Sequence, residues 1–211
     1  PSLGTAAIVW HFTHDLKQAV AGLLHDIATP AFAHVVDFLN GDHLKQESTE
    51  SRTRAIIASS PELLALLAKS SLTLDDVDDY HRYPIADNDP PHLSADRLEY
   101  TLGNARLVFR CPEAELKRIF DDIFVGQNEN GEDELCFAHA EIADAFTQLS
   151  LRQSEWFVSD DDRFSMQALA DLLRAAQQRG VLTVDDLYLD EPHVIGLLLS
   201  DPVIAARWQD Y

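Results

Sequence analysis

The sequence predicts a mainly α-helical protein with one short β-hairpin. Through most of the 211 residues, apolar side chains recur at the three- and four-residue spacing of amphipathic helices. One stretch instead places apolar residues on both sides of an Asn-Gly turn. A chain of this length with 46% hydrophobic residues can bury a substantial core, so we expect one domain spanning residues 1–211.

The first half of the chain is predicted to form five helices. The first two are joined by so tight a connection that they must be antiparallel neighbours. Two later helices begin where Ser60 and Ser94 can cap the backbone, and Pro61 can occupy the first helical position after Ser60. A proline-containing loop, residues 81–94, precedes the last of them. The predicted helices cover residues 3–14, 16–28, 31–39, 61–70 and 95–109.

The second half contains the predicted hairpin and further helices. The hairpin lies near residues 123–138, around the dipeptide Asn130-Gly131, which favours a two-residue turn. Helical spacing returns after it. The remaining helical segments are predicted at residues 139–152, 165–179, 183–189 and 192–208.

The net charge limits the classes of binding partner, and the cysteines indicate the cellular compartment. A formal net charge of −20 repels nucleic acid and anionic membrane surfaces, so neither duplex nucleic acid nor a membrane is an expected partner. The carboxylates are interpreted mainly as a solvated surface. No apolar run is long enough to span a bilayer, and the N-terminus does not resemble a secretion signal. Cys111 and Cys136 fit no metal-site spacing and suit a reducing cytoplasm, where we expect the protein to be.

The stretch LLHDIATPAFAHVVDF, residues 23–38, carries the functional signal. The pair His25-Asp26 ends an apolar helical run, and a second His and Asp follow at His34 and Asp37. A buried carboxylate is costly unless a cation, a hydrogen-bond network or a metal ion compensates its charge. One divalent ion bound by imidazole and carboxylate would satisfy both members of the first pair. An internal ion-pair network is the alternative interpretation.

Two motifs together resemble a known family. AGLLHDIATPAFAHVVDF is similar to the HDxxHxPFxHxxD signature of the HD-domain metal-dependent phosphohydrolase superfamily, in its deoxynucleoside triphosphohydrolase-like branch. LSADRLEYTLGNA, residues 93–105, resembles the DRxDY helix that supplies the last Asp ligand of that superfamily. The resemblance implies a helical metal-site core over about residues 1–110. A helical C-terminal part with the hairpin would then occupy about residues 111–211.

The resemblance also implies individual residue roles. His25, Asp26 and Asp96 would be ligands of a divalent metal ion, which could be Mn, Fe, Co, Ni, Zn or Mg. Tyr100 and Asn104 lie one and two helical turns after the last ligand, where residues of this branch face the substrate.

Three further residues are expected to act in catalysis. His34 and Asp37 match family positions beside the metal, where they would orient the substrate or the attacking water. Either Asp37 or Glu47 is the candidate base.

The sequence departs from the family pattern at three places. Pro1 stands where the superfamily has its first His ligand, and Thr29 replaces the second His of HDxxH. Gln46 stands where a His is expected beside Glu47, which removes a catalytic group near the leaving group. His43 lies close in sequence and is the candidate replacement.

Two function hypotheses follow. The first is a metal-dependent phosphohydrolase acting on a small-molecule phosphoester, for which a nucleotide is a candidate substrate. The second is a degenerate HD domain that binds metal or nucleotide as a sensor or interaction module without efficient turnover. Arg97, Arg106 and Arg110 would form a phosphate-facing strip or pair with surface carboxylates. A homo-oligomer is compatible with either hypothesis.

Overall fold

The protein is mainly helical. A computed structural model describes residues 1–40 and 52–211, and these ranges contain eleven α-helices and a single antiparallel hairpin. The predicted fold class is therefore confirmed. The chain divides into two compact units, one formed by Pro1–Ile27 with Thr53–Trp156 and the other by Ala28–Arg52 with Phe157–Tyr211. Among the described residues, no helix combines the length and apolar character needed to cross a membrane.

The helices are numbered in chain order. They are α1 (Ser2–Thr13), α2 (Leu16–Leu24), α3 (Val35–Asn40), α4 (Thr53–Ala58), α5 (Pro61–Lys69), α6 (Ala95–Leu107), α7 (Glu113–Asp121), α8 (Ala140–Phe157), α9 (Asp160–Gln178), α10 (Glu191–Ser200) and α11 (Pro202–Asp210).

Helices α1 and α2 form an antiparallel pair, as predicted. His14 ends α1 in the left-handed conformation with a φ of 50°, and Asp15 caps α2 by accepting the Lys17 N–H at 2.8 Å. A Cβ built on Gly22 would lie 3.5 Å from methyl carbons of both Thr5 and Val9, which shows how closely α2 approaches α1. This pairing brings the start of α1 beside the end of α2.

The second predicted helix ends earlier than expected. Helix α2 stops at Leu24, and the chain continues as a 3₁₀ turn over His25–Ala28. The prediction of one helix over residues 16–28 is therefore wrong for its last four residues. The tighter turn is a common way to end an α-helix, and it also changes the directions in which consecutive side chains leave the backbone.

The third predicted helix starts later than expected. Phe32 and Ala33 have φ values of 64° and 44°, which lie in the left-handed region and interrupt a right-handed helix. Helix α3 therefore begins at Val35 and not at residue 31. The helix continues to Asn40, one residue beyond its predicted end at residue 39.

The start of α6 is fixed by its cap and by a neighbouring loop. The Ser94 hydroxyl is fully buried and accepts the Arg97 N–H at 3.3 Å, as the sequence predicted. The Ala95 and Asp96 N–H groups donate to the carbonyls of Ile85 and Ala86, at 2.8 and 3.3 Å. These bonds hold the first turn of α6 in place.

The hairpin is confirmed, but its turn is longer than predicted. Strands β1 (Ile123–Gln127) and β2 (Asp133–Phe137) pair antiparallel and leave a five-residue loop over residues 128–132. Gly131 adopts a φ of 79° there, which suits a residue without a Cβ. An isolated bridge between Leu93 and Leu135 ties β2 to the segment before α6.

The second unit has its own core. Buried side chains of α3, α9, α10 and α11 form it, including Phe38, Leu173, Leu198 and Ile204. The region predicted as one helix over residues 192–208 is two helices, because Asp201 caps α11 through the Val203 and Ile204 N–H groups.

Candidate metal site

The orientation of the His25 ring is fixed by the helix that precedes it. Its Nδ1 lies 2.7 Å from the Gly22 carbonyl oxygen, and because a carbonyl only accepts, Nδ1 carries the proton of this bond. The other nitrogen, Nε2, is then directed away from the helix. Metal-binding histidines are commonly oriented by such a bond, which leaves the second nitrogen as the ligand.

Two carboxylates from different parts of the chain face His25 Nε2. Asp26 Oδ2 lies 3.1 Å away and Asp96 Oδ1 lies 3.3 Å away, while the His25 side chain is only 5% exposed. Suppose that two donor atoms each lie about 2.1 Å from the same ion, with a donor–metal–donor angle between a right angle and the tetrahedral angle. The two donor atoms are then about 3.0–3.4 Å apart. The observed separations fall in this range, and they are equally the distances of ion pairs between a charged His25 and the two carboxylates.

The carboxylates control the charge of His25. Burial alone would lower the pKa of the ring, but the hydrogen bonds and charges of Asp26 and Asp96 outweigh burial and raise that pKa to about 10. The ring is therefore an imidazolium that donates from Nε2 to the carboxylates. The ion-pair network and the metal site thus use the same atoms.

The three side chains are not arranged as the ligands of one ion. Among residues 1–40 and 52–211, no group of three or more His, Cys, Asp or Glu side chains is placed so that it could hold a metal ion. Imidazole nitrogen and carboxylate oxygen are nevertheless ligand types that Mn, Fe, Co, Ni and Zn accept.

The start of α1 also reaches this cluster. The Ser2 hydroxyl donates to Asp26 Oδ2 at 3.3 Å, and the Pro1 backbone nitrogen lies 3.9 Å from Glu99 Oε1. The sequence analysis did not select Glu99. The signal that could have found it is the three-residue spacing from Asp96, which places both carboxylates on one face of α6.

A second group of residues beside His25 was also missed. The Tyr80 ring lies 4.9 Å from the His25 ring and 4.3 Å from the His81 ring. His81 Nδ1 lies 2.8 Å from Asp87 Oδ2. The segment that carries them follows an acidic stretch without helical periodicity, so no sequence pattern indicated their position.

The two predicted substrate residues lie on α6 after Asp96. Tyr100 is 37% exposed, and burial of its ring raises the pKa of its hydroxyl, with Arg97 opposing and Asp96 assisting that shift. Asn104 is half-buried one turn further along. Their predicted contact with substrate stays a prediction.

The three arginines do not form one strip with a common role. Arg97 binds the loop before α6, because its Nε donates to the His92 carbonyl at 2.9 Å and its guanidinium donates to Asn88. Arg106 and Arg110 are exposed. Within the described part of the chain, neither of these two lies within 4.0 Å of a carboxylate oxygen.

The predicted catalytic residues that are described lie in the second unit. His34 Nδ1 is 3.2 Å from Asp37 Oδ2, and Asp37 is only 1% exposed. The strained residues Phe32 and Ala33 directly precede this pair. Thr29 is exposed. Their predicted roles stay predictions, and Glu47, Gln46 and His43 lie outside the described residues.

Comparison with known proteins does not indicate an activity for this chain. No family model matches the chain. The chain is 24% identical over 199 residues to a protein of Bacillus subtilis (strain 168) named Uncharacterized protein YdhJ. The match covers 93% of this chain and 59% of that protein. The chain therefore spans less than two thirds of the length of this relative.

Proposed function

We propose that this chain is an HD-type, metal-dependent phosphohydrolase that acts on a small-molecule phosphoester, with a nucleotide as the first candidate. One observation carries the proposal. The Gly22 carbonyl fixes the His25 ring so that Nε2 faces the carboxylates of Asp26 and Asp96 at 3.1 and 3.3 Å. The sequence motifs around these residues support the same assignment.

His25, Asp26 and Asp96 would hold the ion. When bound, a divalent metal polarises a phosphoryl oxygen and lowers the pKa of a coordinated water. Around it, the Gly22 carbonyl keeps Nε2 directed inward, and the Ser2 hydroxyl restrains the Asp26 carboxylate. Mn, Fe, Co, Ni, Zn and Mg are the candidate ions.

The remaining roles follow from the resemblance. Tyr100 and Asn104 are proposed to contact the substrate beyond Asp96. Asp37 or Glu47 is proposed to take a proton from the attacking water, and His34 to orient the reacting groups.

Metal analysis and a substrate screen test the proposal. The protein is analysed for bound metal as purified, stripped with a chelator, and reloaded separately with each candidate ion. Hydrolysis of nucleoside triphosphates, nucleoside monophosphates and p-nitrophenyl phosphate is then measured. We expect stoichiometric metal and hydrolysis that requires it. A wild-type protein that binds none of the ions would overturn the proposal.

Pro1 favours a second candidate function. Its side chain has no donor atom where the family has a His ligand, so the chain is a candidate for a binding module that holds metal or nucleotide without efficient turnover. Stoichiometric metal with nucleotide binding, but without hydrolysis of any phosphoester, would select this alternative.

A cytoplasmic location is part of the proposal. Cys111 and Cys136 are both free thiols, which suits a reducing compartment. We also propose that neither duplex nucleic acid nor a membrane is a partner, because the net charge of −20 opposes both contacts. Light scattering at several concentrations tests for a homo-oligomer.

A further inference from the structure

The hairpin register shows which backbone groups of β1 point away from β2. The Asp122 carbonyl accepts the Ala138 N–H at 3.1 Å, and the Glu132 carbonyl accepts the Asn128 N–H at 2.9 Å, so the residue pairs at both ends of the ladder are hydrogen-bonded. Antiparallel strands alternate between hydrogen-bonded and non-hydrogen-bonded pairs. The N–H and C=O groups of residues 123, 125 and 127 therefore point outward, away from β2.

This outer edge of β1 has no partner strand among the residues that the structure describes. The isolated bridge to Leu93 involves Leu135 and therefore lies on the opposite edge of the hairpin. Across residues 1–40 and 52–211, the sheet contains only β1 and β2, and no backbone hydrogen bond from outside the hairpin reaches residues 123, 125 or 127. Their N–H and C=O groups are available to a further strand.

The edge lacks the features that usually protect an exposed strand. Natural edges commonly carry a charged residue, a proline or a bulge, which prevents pairing with another chain. The sequence of β1, IFVGQ, contains no charged residue and no proline, and its pairing with β2 is regular over all five residues. Phe124 is 47% exposed and Val125 is 37% exposed. A neutral edge of this kind is suited to the addition of a strand.

The edge is complementary to a second copy of itself. If two β1 strands pair antiparallel about Val125, Ile123 of each copy lies opposite Gln127 of the other, and the two Val125 residues face each other. Each outward N–H then meets an outward C=O, which gives about six backbone hydrogen bonds. This pairing leaves no donor or acceptor of the edge without a partner.

The side chains suit the same register, in which Phe124 stands opposite Gly126 of the second copy. An added Cβ at Gly126 would lie 2.8 Å from Cys136 Sγ, so the position favours glycine and leaves its backbone uncovered. An aromatic ring beside an edge glycine covers that backbone. Two-fold symmetry repeats the contact on both sides of Val125 and makes the two Phe124 rings diagonal neighbours, which is within reach of aromatic side chains.

The start of β1 carries a positive charge without an ion-pair partner. Arg118 lies in the last turn of α7, is exposed, and forms no ion pair within the described part of the chain. The acidic side chains near it are already paired, Asp121 with Lys117 at 2.6 Å and Asp122 with His139 at 2.5 Å. The Arg118 guanidinium can therefore attract a carboxylate from another molecule.

The other end of β1 is acidic. The strand runs into the loop over residues 128–132, where Glu129 and Glu132 are exposed. Antiparallel pairing about Val125 brings the end of β1 in one copy to the start of β1 in the other, so the acidic loop of each copy approaches Arg118 of the other. Opposite charges that meet across an interface favour this register and this partner.

We propose that β1 is the interface between two copies of this chain, which pair antiparallel about Val125 and join their hairpins into one four-stranded sheet. One two-fold arrangement satisfies the outward backbone groups, the Phe124–Gly126 contact and the charges at both ends of the strand. Pairing of five-residue strands should bury less than the roughly 1,200–2,000 Å² of a standard interface, so we expect a dimer that dissociates in the micromolar range. Neither a bound metal nor catalysis is needed for this pairing.

Sedimentation equilibrium of the full chain at micromolar concentrations tests the interface. Val125→Pro removes an outward N–H but no bond between β1 and β2, and proline is tolerated where the N–H faces away from the sheet. We expect it to weaken the dimer at least about tenfold, since two-fold symmetry removes two central hydrogen bonds at once. Val184→Pro is the matched control, because Val184 is exposed and has a φ of −63°, which proline adopts. The control should dimerise like the wild type, and circular dichroism checks the helical content of both variants.

Oxidative cross-linking tests the register. Val125→Cys places the two introduced thiols on a hydrogen-bonded pair, whose Cα atoms are about 5.5 Å apart and within disulfide reach. Gln127→Cys is the control, because the two copies of this position would lie more than about 12 Å apart. We expect a disulfide-linked dimer from Val125→Cys alone. Mass spectrometry of the linked peptides distinguishes it from links through Cys111 or Cys136, which are both free thiols.

The two measurements can each overturn the proposal. A wild-type chain that stays monomeric throughout the concentration series would exclude a second copy as the partner of this edge. A Val125→Pro dimer as strong as that of the wild type would place the interface elsewhere. A link formed by Gln127→Cys but not by Val125→Cys would exclude the register about Val125. Because the cross-link needs no proline, it decides the question even if Val125→Pro does not fold.

Discussion

Asp96 Oδ1 lies 3.3 Å from His25 Nε2, so the start of α6 and the end of α2 meet at one buried imidazole. The same nitrogen is 3.1 Å from Asp26 Oδ2. An ion-pair network and a metal site both explain this arrangement, but they predict different consequences when one member is removed. If the residues form an ion-pair network, removing His25 or one of the carboxylates should destabilise the fold. If they form a metal site, the same change should mainly remove the bound metal.

His25→Ala and Asp26→Ala should each abolish stoichiometric metal binding while most of the helical content remains. A metal ligand has its main role in the presence of the ion, so its removal affects occupancy more than packing. Elemental analysis and circular dichroism measure the two properties. His14→Asn is the control, because it changes the other His-Asp pair at a left-handed position that Asn tolerates.

The two alternative outcomes have different meanings. Stoichiometric metal in either variant would show that the ligands are assigned wrongly. Unfolding of both variants with no metal in the wild type would favour the ion-pair network.

Ser94→Ala should lower both stability and metal affinity. The Ser94 hydroxyl caps α6 two residues before Asp96, and loss of an N-cap costs about 1 kcal/mol. Urea unfolding and cobalt titration measure the two effects. Ser60→Ala is a matched control, because Ser60 caps α5 through the Leu63 N–H at 3.2 Å. It should lose similar stability and no affinity, and equal affinity losses in both variants would contradict the local role of the Ser94 cap.

Tyr100→Ala should raise KM for a nucleotide more than for p-nitrophenyl phosphate. An aromatic side chain that stacks on a base contributes about 1–3 kcal/mol, which corresponds to roughly 5- to 150-fold in affinity. Steady-state kinetics with both substrates measure the ratio, and Tyr211→Ala is the control on an exposed tyrosine. Equal changes in KM for the two substrates would remove Tyr100 from the nucleotide site.

The junction between α7 and α8 should give a pH-dependent contribution to stability. His139 Nδ1 donates to Asp122 Oδ1 at 2.5 Å, and this bond raises the pKa of His139 and lowers that of Asp122. The His139 contribution is complete below its unfolded pKa of about 6.5 and is lost as pH rises through the raised folded value. The Asp122 contribution is present above about pH 3.9 and is lost as pH falls through the lowered folded value.

Thermal unfolding across this range checks the sign. The stability difference between wild type and Asp122→Asn should be largest between about pH 4 and 6.5 and should shrink as the pH rises further. A difference that grows with pH above this window would contradict the ion pair.

The local elements were predictable from the sequence where short-range chemistry decides them. Ser60 and Ser94 are helix caps at the predicted places, and the hairpin lies where Asn130-Gly131 indicated it. The predictions for residues 16–28 and 192–208 placed helices in the right regions, but each missed a point inside the range where the α-helix ends. There, a 3₁₀ turn after Leu24 and a cap at Asp201 interrupt apolar patterns that continue across them.

The sequence by itself determined the helical class and selected His25, Asp26 and Asp96, because periodicity and motif spacing are local properties of the chain. Only the tertiary structure decided that Glu99 lies over Gly4 and that Tyr80 lies against His25. Contacts between distant segments depend on how the helices pack. Helix packing depends on the side chains over the whole contacting surface of each helix, which no short motif contains. A three-residue spacing on α6 places Glu99 beside Asp96, but only the approach of α1 brings it to the position beside Pro1.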